Sequence, residues 1–235
     1  MIETGKYAYN FDFEVMHKYF IEEFKPFIND RQYNNCLEIG SYKGDFTKRL
    51  SSYFCQVVAI EPSVEFIAEA QKKELQNVIW MNDTFENTNI QIKFRTIFIT
   101  HLLEHIEKQL FFLKKASNLL TTDGLMIICC PNANAASRQI AVNMGLIESP
   151  TCVTPIEWKH GHKRTYTLDS LTRDVKTVGL QVVHRGGILF KGLCSSQFDK
   201  AIEHGIVNDE YFMGCYELGK KYPDLCSSIY VICKK

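Results

Sequence analysis

Short apolar runs alternate with longer amphipathic segments, and this alternation constrains the fold more than any other feature of the sequence. Between residues 34 and 235, seven such runs are rich in Val, Ile, Leu and Phe. A strand that is apolar on both sides has to be covered on both faces, which is typical of a mostly parallel sheet flanked by helices. The alternation therefore predicts an α/β fold with a buried, mostly parallel sheet.

The positions of these runs predict individual elements. We expect strands at residues 34–40, 56–62, 77–82, 93–100, 124–132, 180–190 and 228–235. We expect helices at 17–28, 44–54, 64–75, 102–120 and 168–178. Ser63 and Thr167 are suitable N-caps, and Gly179 is a suitable residue to end the last of these helices.

The length of 235 residues suits one α/β domain, so we expect residues 1–235 to form a single domain. Residues 1–31 are aromatic-rich and are expected to be a helical N-terminal segment. Two stretches, 132–166 and 190–225, are long for α/β connections and are expected to be insertions on the substrate side. The second insertion either covers the substrate site or forms a dimer contact, so monomer and homodimer both stay open.

The charge balance argues against a nucleic-acid partner. Lys plus Arg and Asp plus Glu both number 27, so the chain has no broad positive field.

No apolar run is long enough to span a bilayer, and no signal peptide is visible. The nine cysteines form no C-x-x-C pair, and several lie within apolar runs, which favours buried thiols in a cytoplasmic protein.

The residues that follow the first predicted strand indicate a ligand site. In parallel sheets, ligands bind beyond the carboxyl ends of the strands. The first strand ends LEIGSYKGDF, in which Gly40 and Gly44 flank a tight turn into a helix. The spacing is neither G-x-G-x-x-G nor a P-loop, so a phosphate site is poorly supported. Glu38, just before the first glycine, suits a ligand with an ammonium group.

Acidic residues also follow the next two strands. Glu61 lies in AIEP, at the end of the second strand. Its distance in the sequence from the glycine turn is that of an acid that accepts hydrogen bonds from two ribose hydroxyls. Asp83, in NDTFE, is positioned either to accept from an adenine amino group or simply to cap a turn. Each residue alone is weak evidence, but acids and glycines at successive strand ends together favour a nucleotide-type ligand.

These stretches resemble class I S-adenosylmethionine-dependent methyltransferases. The likeness rests on LEIGSYKGDF, AIEPS, NDTFE, ITHLLEHI and GLMIICCPN, with YTLDSLTRDVKTVGLQVV and IYVICKK near the end. It is greatest to the bacterial branch that modifies small molecules and sugars and shares the L-E-H string. The resemblance implies a Rossmann-like, seven-stranded, mostly parallel sheet with the last strand antiparallel, and helical insertions over the substrate side. Tyr42 departs from the family pattern, which commonly has a middle glycine there.

The resemblance also implies S-adenosylmethionine as cofactor. It implies the following cofactor-binding residues: Glu38, Gly40, Tyr42, Gly44, Glu61, Pro62, Asp83, Thr84, Thr100 and His101. Glu38 and Gly40 would lie by the methionine portion, and Glu61 would hold the ribose hydroxyls. Asp83 and Thr84 would meet the adenine. The pair after the fourth strand, Thr100 and His101, would flank the sulfonium and its methyl group.

The string THLLEHIEKQ contains H-x-x-E-H, which is also a zinc-peptidase signature. A peptidase is disfavoured because an apolar strand runs directly into the motif and the chain already supplies a nucleotide-type site. Three alternatives remain. In the first, Glu104 and His105 form a polar helix start, with His105 in solvent. In the second, either His101 or His105 takes a proton from the substrate. In the third, a divalent ion binds His101, Glu104 and His105, as some similar quinone-precursor methyltransferases suggest. We do not favour a metal.

The first insertion contains PIEWKHGHKRTY, whose residues suit a polar or anionic acceptor such as a sugar or sugar nucleotide. The expected substrate-binding residues are Tyr7, Tyr9, Glu157, Trp158, His160 and Arg164. The expected catalytic residues are His101, His105 and His162. A solvated basic loop is the alternative for this stretch.

The histidines favour an oxygen acceptor, because a hydroxyl has to lose a proton and imidazole accepts one near neutral pH. The sequence therefore predicts O-methylation of a small molecule, in particular a sugar, sugar nucleotide or glycan precursor. N-methylation of an amino sugar or small amine is one alternative. A non-catalytic S-adenosylmethionine-binding protein is the other.

Overall fold

The computed structural model describes residues 10–28 and 34–235 and contains one seven-stranded sheet. The strand order is β3-β2-β1-β4-β5-β7-β6. β7 pairs antiparallel with both β5 and β6, whereas the pairs among the first five strands are parallel. The predicted Rossmann-like sheet, mostly parallel with an antiparallel last strand, is confirmed.

The strands are β1 Asn35–Ile39, β2 Gln56–Ile60, β3 Val78–Met81, β4 Phe94–Thr100, β5 Leu120–Pro131, β6 Gln181–Phe190 and β7 Cys226–Lys234. The α-helices are α1 His17–Ile28, α2 Asp45–Leu50, α3 Val64–Gln71, α4 Gln109–Asn118, α5 Ala136–Asn143, α6 Pro155–Lys159, α7 Leu168–Thr177, α8 Ser195–Glu203 and α9 Asp209–Lys221. The two predicted N-caps are confirmed, because Ser63 accepts from the Phe66 N–H and Thr167 accepts from the Ser170 N–H.

The sheet has a hydrophobic core on each face, because its central strands are buried on both sides. In β4, Ile97 and Ile99 pack into one core, together with α4 and α7. Phe98 points to the opposite face and packs with α1, α2, α8 and α9. This two-sided burial is the physical reason for the nearly continuous apolar runs in the sequence.

One predicted helix is wrong at its start. The sequence indicated a helix from about residue 102, but Leu103–His105 is a single 3-10 turn and α4 begins only at Gln109. Ile106, which follows the turn, has an extended backbone with ψ of 124° and interrupts the helical path. The H-x-x-E-H residues are therefore not arranged on one face of an α-helix.

Both long connections contain helices. The stretch 132–166 includes α5 and α6, and the stretch 190–225 includes α8 and α9, so both are helical, as the resemblance implies. Residues from both stretches reach the carboxyl edge of the sheet, where they line a cavity together with the N-terminal segment. Within the described residues, no helix combines the length and apolarity that a membrane crossing requires.

Candidate active site

A cavity of about 620 Å³ opens at the carboxyl ends of β1 and β4. From β1 the chain first adds β2 and β3 on one side of the sheet and then returns to place β4 on the other side of β1. The cavity between the ends of β1 and β4 therefore lies at the topological switch point of the sheet. Its lining includes Glu38, Gly40, Thr100, His105, His162 and Lys191. The strand-end residues thus meet residues of both insertions.

The loop after β1 turns sharply through three residues with left-handed backbone. Gly40, Tyr42 and Gly44 have φ of +82°, +50° and +77°. Glycine adopts this region freely, whereas a residue with a Cβ is destabilised there by about 1–2 kcal/mol. A Cβ on Gly44 would lie 2.7 Å from the Trp80 ring and 2.9 Å from the Ala70 Cβ. Gly44 therefore allows β3 and α3 to pack close to the loop.

Glu38 places a buried carboxyl at the base of this loop. Its side chain is 2% exposed, and Thr47 Oγ1 donates a hydrogen bond to its Oε2 at 2.5 Å. The pKa of Glu38 is raised to about 8, mainly by burial; the Thr47 hydrogen bond acts to lower it and the charge of Glu61 acts to raise it. No cationic side chain of the described residues acts on this pKa. A bound ammonium group would supply the missing positive charge.

Glu61 lies directly after β2 and is held by the backbone. The Tyr42 N–H donates to its Oε2 at 3.0 Å, and the Ser63 N–H donates to its Oε1 at 2.9 Å. Burial raises the pKa of Glu61, while these two hydrogen bonds lower it. The Asn82 side chain donates to the carbonyl oxygens of Glu61 and Pro62, at 3.0 and 3.1 Å. Asn82, which the sequence analysis missed, thereby ties the loops after β2 and β3 together.

Five of the predicted cofactor residues are not part of the cavity lining: Gly44, Glu61, Pro62, Asp83 and Thr84. The Tyr42 side chain lines the cavity, packs edge-on against Phe66 at 4.4 Å and stacks on Phe13 at 6.0 Å. The Asp83 carboxylate accepts from the N–H of the next residue, Thr84, at 2.7 Å. Tyr42 is therefore the residue that joins the cavity to Glu61, the predicted ribose contact.

His101 lies at the end of β4 in a left-handed conformation, with φ of +49°. Its N–H donates to the Cys129 carbonyl at 2.8 Å, and its Nε2 is 3.0 Å from Ser228 Oγ. Burial lowers the pKa of His101 to about 3, and nearby histidines such as His17 contribute to the lowering. An imidazole with so low a pKa is neutral but a weak base. It is better suited to positioning a ligand than to removing a proton.

Glu104 is buried, which argues against the alternative in which Glu104 and His105 are a polar helix start. Its side chain is 2% exposed, and its Oε2 has no hydrogen-bond partner. Burial raises the pKa of Glu104 to about 8, while hydrogen bonds from its own N–H and from the Cys130 thiol lower it. The 3-10 turn directs this side chain inward, whereas the first turn of an exposed helix would have left it in water.

Three potential ligands for a metal ion gather on one wall of the cavity. One side-chain oxygen of Glu104 and one ring nitrogen each of His105 and His162 lie within 4.8 Å of one another. Glu104 Oε1 is 3.9 Å from His105 Nε2, and the two imidazole rings are 4.7 Å apart in an edge-on arrangement. His101 does not belong to this group. The alternative in which a metal ion binds His101, Glu104 and His105 therefore does not match the structure, which groups Glu104 and His105 with His162 instead.

The remaining predicted substrate residues divide into two groups. His160 lines the cavity, as predicted, and so do Glu157 and Arg164. Glu157 caps α6 through the Thr154 N–H at 2.8 Å and forms an ion pair with Arg138. Arg164 donates to two carbonyl oxygens of the neighbouring turn at 3.0 and 2.9 Å. Glu157 and Arg164 therefore stabilise the conformation of the stretch 132–166 in addition to lining the cavity.

Trp158 does not form the aromatic wall that the sequence predicted. Its side chain is 64% exposed, and it lies outside the cavity lining, beneath Lys163 at 5.4 Å. α6 is a short helix that begins at Pro155, and its capping box directs Glu157 inward and the adjacent Trp158 outward. Tyr7 and Tyr9 lie outside the described residues.

The sequence did not single out a buried lysine that also lines the cavity. Lys191 is 6% exposed, lines the cavity and donates to Ser195 Oγ at 2.9 Å, and Ser195 in turn donates to Asp12 at 3.1 Å. Burial lowers the pKa of Lys191, while Asp12 raises it. Lys191 directly follows β6, so the rule of examining residues after each strand would have found it.

The cofactor implied by the resemblance fits these residues. The Glu38 carboxyl lacks a cationic partner among the described residues, and an ammonium group would provide one. The Ser41 hydroxyl is buried, lines the cavity and has no hydrogen-bond partner. Gly40 also lines the cavity, and a Cβ at this position would lie 3.0 Å from the Leu102 side chain. These are the groups that the amino-acid portion of S-adenosylmethionine needs.

Several solved structures similar to this chain are methyltransferases. An S-adenosylmethionine-dependent methyltransferase from Mesorhizobium loti is 12% identical with a TM-score of 0.65, over 91% of this chain and 96% of the other. The N-methyltransferase NodS from Bradyrhizobium japonicum, in complex with S-adenosylhomocysteine, is 12% identical with a TM-score of 0.58, over 97% and 89%. Coclaurine N-methyltransferase is 13% identical with a TM-score of 0.66, over 93% and 72%. No curated protein matches the chain by sequence.

At these identities the solved structures establish the fold. The family follows from a sequence comparison: a family model described as a methyltransferase domain matches residues 13–185, which is well over half of the chain. The matched range contains the glycine turn, Glu61 and the Glu104, His105 and His162 wall. The chain belongs to the methyltransferase-domain family.

Proposed function

We propose that the protein transfers a methyl group from S-adenosylmethionine to a hydroxyl of a small polar acceptor, such as a sugar, a sugar nucleotide or a related glycan precursor. One observation carries the proposal. A single cavity is lined on one side by Glu38, Gly40 and Ser41, and on the other by Glu104, His105 and His162. The first side suits the amino-acid portion of the cofactor. The second suits a polar acceptor.

S-adenosylmethionine, when bound, supplies a methyl group on a sulfonium sulfur. The chain's own residues then bind, orient and exclude water. Glu38 pairs with the ammonium group, Ser41 provides a hydrogen bond, and Glu61 accepts from the ribose hydroxyls. Thr100 and His101, at the end of β4, flank the reacting centre.

The acceptor hydroxyl lies against Glu104, His105 and His162 in this proposal. Burial is the largest cause that lowers the pKa of both His105 and His162, so both rings are neutral near pH 7. Neutral rings offer lone pairs to a hydroxyl proton. Arg164 and His160, which line the same side, add donors for further hydroxyl or phosphate oxygens.

N-methylation of an amino sugar or small amine is the second candidate. It is favoured by two of the similar solved structures, NodS and coclaurine N-methyltransferase, which are both N-methyltransferases. An amine acceptor reacts in its uncharged form and needs no base to remove a proton beforehand. Neutral histidine side chains in the cavity are compatible with such an acceptor. A non-catalytic S-adenosylmethionine-binding protein is the third. None of the nine cysteines, all of which lie within the described residues, forms a disulfide, and this agrees with the cytoplasmic location that we propose.

A transfer assay tests the proposal and separates the candidates. The protein is incubated with methyl-labelled S-adenosylmethionine and a panel of sugars, nucleoside-diphosphate sugars and amino sugars. The methylated atom is then identified by NMR. We expect label on oxygen, with turnover lost in His162→Ala and kept in His204→Ala, a substitution on the exposed end of α8. Label on nitrogen alone would establish the second candidate, and cofactor binding without any transfer would establish the third.

A further inference from the structure

We propose that Glu104, His105 and His162 form a binding site for a divalent first-row transition-metal ion that faces the acceptor side of the cavity. The proposal deepens the proposed function, because such an ion would hold the acceptor oxygen. His162 is far from the other two ligands in the sequence, and only the fold brings it close to them. The donor set is two imidazoles and one carboxylate.

The geometry is close to that of a bound site. The three donor atoms lie within 4.8 Å of one another. Two ligands on one ion, with bonds of about 2.1 Å, lie no more than about 4.2 Å apart. Small side-chain rotations therefore suffice to bring the three onto one ion.

A second observation points to a missing cation. Glu104 is 2% exposed and lines the cavity, yet its Oε2 has no hydrogen-bond partner. A buried carboxylate oxygen without a partner is costly unless a cation or donor binds it. The positively charged side chains nearby are engaged elsewhere: Arg138 pairs with Glu157, and Arg164 donates to two backbone carbonyls.

The wall is also held in place by backbone contacts, as a metal site requires. The Lys163 N–H donates to the Glu104 carbonyl at 2.8 Å, which fixes the neighbouring His162 against the 3-10 turn. The backbone of Gly161 hydrogen-bonds the His105 ring. Metal-binding histidines usually donate their second nitrogen to such a backbone or carboxylate group, which sets the tautomer and orients the ring.

The donor chemistry selects the class of ion. Two imidazoles and one carboxylate suit Mn²⁺, Fe²⁺, Co²⁺ or Zn²⁺ better than Mg²⁺ or Ca²⁺, which prefer oxygen ligands. Three protein ligands leave coordination positions free on the cavity side. An acceptor hydroxyl bound there would have a lower pKa. In the transfer, the oxygen forms a bond to the methyl carbon, the carbon–sulfur bond breaks with its electron pair staying on sulfur, and the hydroxyl proton leaves to solvent.

Titration with Mn²⁺ tests the site without measuring methyl transfer. Mn²⁺ is the preferred probe because Cys55 and Cys194 are exposed thiols that would bind Zn²⁺. After removal of metals with a chelator, binding is followed by electron paramagnetic resonance and calorimetry. We expect one equivalent to bind the wild type, and at least a tenfold weaker affinity in His162→Ala and in the nearly isosteric Glu104→Gln.

Two histidine variants serve as matched controls. His160→Ala removes a ring two residues from His162 that lines the same cavity but is outside the trio, and His204→Ala removes an exposed ring. Both should bind Mn²⁺ within about threefold of the wild type. The proposal is overturned if the wild type binds no Mn²⁺, or if His160→Ala weakens binding as much as His162→Ala does.

Binding of S-adenosylhomocysteine, measured on the same samples, separates the two proposals and verifies folding. Every variant should retain it, since none of the substituted residues belongs to the cofactor side. Mn²⁺ binding without S-adenosylhomocysteine binding would sustain the metal site and contradict the proposed function. The reverse result would remove the metal site alone.

Discussion

The two walls of the cavity are built in different ways. On the cofactor side, neighbouring strand ends supply the residues, and the Tyr42–Glu61 hydrogen bond joins positions only 19 residues apart. On the acceptor side, insertions reach back over the sheet. The Arg164–Ile106 hydrogen bond spans 58 residues, and the Ser195–Asp12 hydrogen bond spans 183.

This difference separates what the fold dictates from what the insertions add. Strand ends at the switch point are positioned by the sheet itself, so any chain with this topology has a ligand site there. The acceptor wall depends on side-chain contacts such as Arg138–Glu157, which belong to this particular chain. We therefore expect cofactor binding and acceptor binding to respond to different substitutions.

The largest difference in stability is expected between alanine substitutions at two glycines, Gly44 in the turn after β1 and Gly192 in the stretch after β6. Gly44 has φ of +77°, and a Cβ there would lie 2.7 Å from Trp80, whereas a Cβ on Gly192 would lie 3.7 Å from Ile140. Gly44→Ala should lower the free energy of unfolding by about 2–4 kcal/mol through backbone strain and overpacking. Gly192→Ala should change it by less than about 0.5 kcal/mol. Denaturant titration measures both, and equal effects would contradict the account of the glycine turn.

Glu38 should make cofactor affinity depend on pH. Its pKa of about 8 means that the carboxyl of the ligand-free protein is mostly protonated at pH 6. The cofactor's ammonium group binds the ionised form, so affinity should rise about tenfold for each pH unit up to about 8 and then level off. Calorimetry between pH 6 and 8 measures this slope. In Glu38→Gln the slope should flatten, and an unchanged slope would assign the titration to another group.

Arg138 tests the independence of the acceptor side. Its guanidinium binds Glu157 and the carbonyl oxygens of Pro150 and Cys152. Arg138→Met removes these contacts and should loosen residues 150–157, raising the acceptor KM about tenfold, since lost hydrogen bonds to a charged group weaken a site by about 1.5 kcal/mol or more. The dissociation constant for S-adenosylhomocysteine should stay within about twofold. A parallel loss of cofactor affinity would show that the two walls act as one unit.

The smallest expected effect concerns Tyr42. Its φ of +50° strains any residue other than glycine, although its ring packs against Phe66 and Phe13. Tyr42→Ala and Tyr42→Gly both lose the ring, but only the second relieves the strain. Thermal unfolding should therefore show the glycine variant to be more stable than the alanine variant by about 1 kcal/mol. The opposite order would contradict the left-handed conformation.

The sequence predicted the sheet well, because the sheet depends on local patterns. Local patterns also brought Glu38, Gly40 and Thr100 to attention, and these residues line the cavity, while their roles toward the cofactor stay predictions. Apolar runs encode strands buried on two faces, and glycines and acids directly after them encode the edge where ligands bind. Lys191 also follows a strand, to which the rule was not applied, whereas Asn82 was assigned to the predicted third strand, which in the structure ends at Met81.

The acceptor side could not be predicted in the same way. One alternative placed Glu104 at a polar helix start because its spacing suits a helix, but Ile106 interrupts the helix and the 3-10 turn directs the carboxyl inward. The contact between His105 and His162 depends on how residues 160–164 dock on this turn. Trp158 points outward because the capping box of α6 fixes the orientation of that short helix. Such docking contacts leave no periodic signal in a sequence.

Calorimetric titration of S-adenosylmethionine and S-adenosylhomocysteine into the wild type and Glu61→Ala tests the central claim most directly. The account predicts micromolar binding of both ligands to the wild type. It predicts at least tenfold weaker binding to Glu61→Ala, because the substitution removes a charged acceptor for two hydroxyl hydrogen bonds. Failure of the folded wild type to bind either ligand, or equal binding by Glu61→Ala, would contradict it.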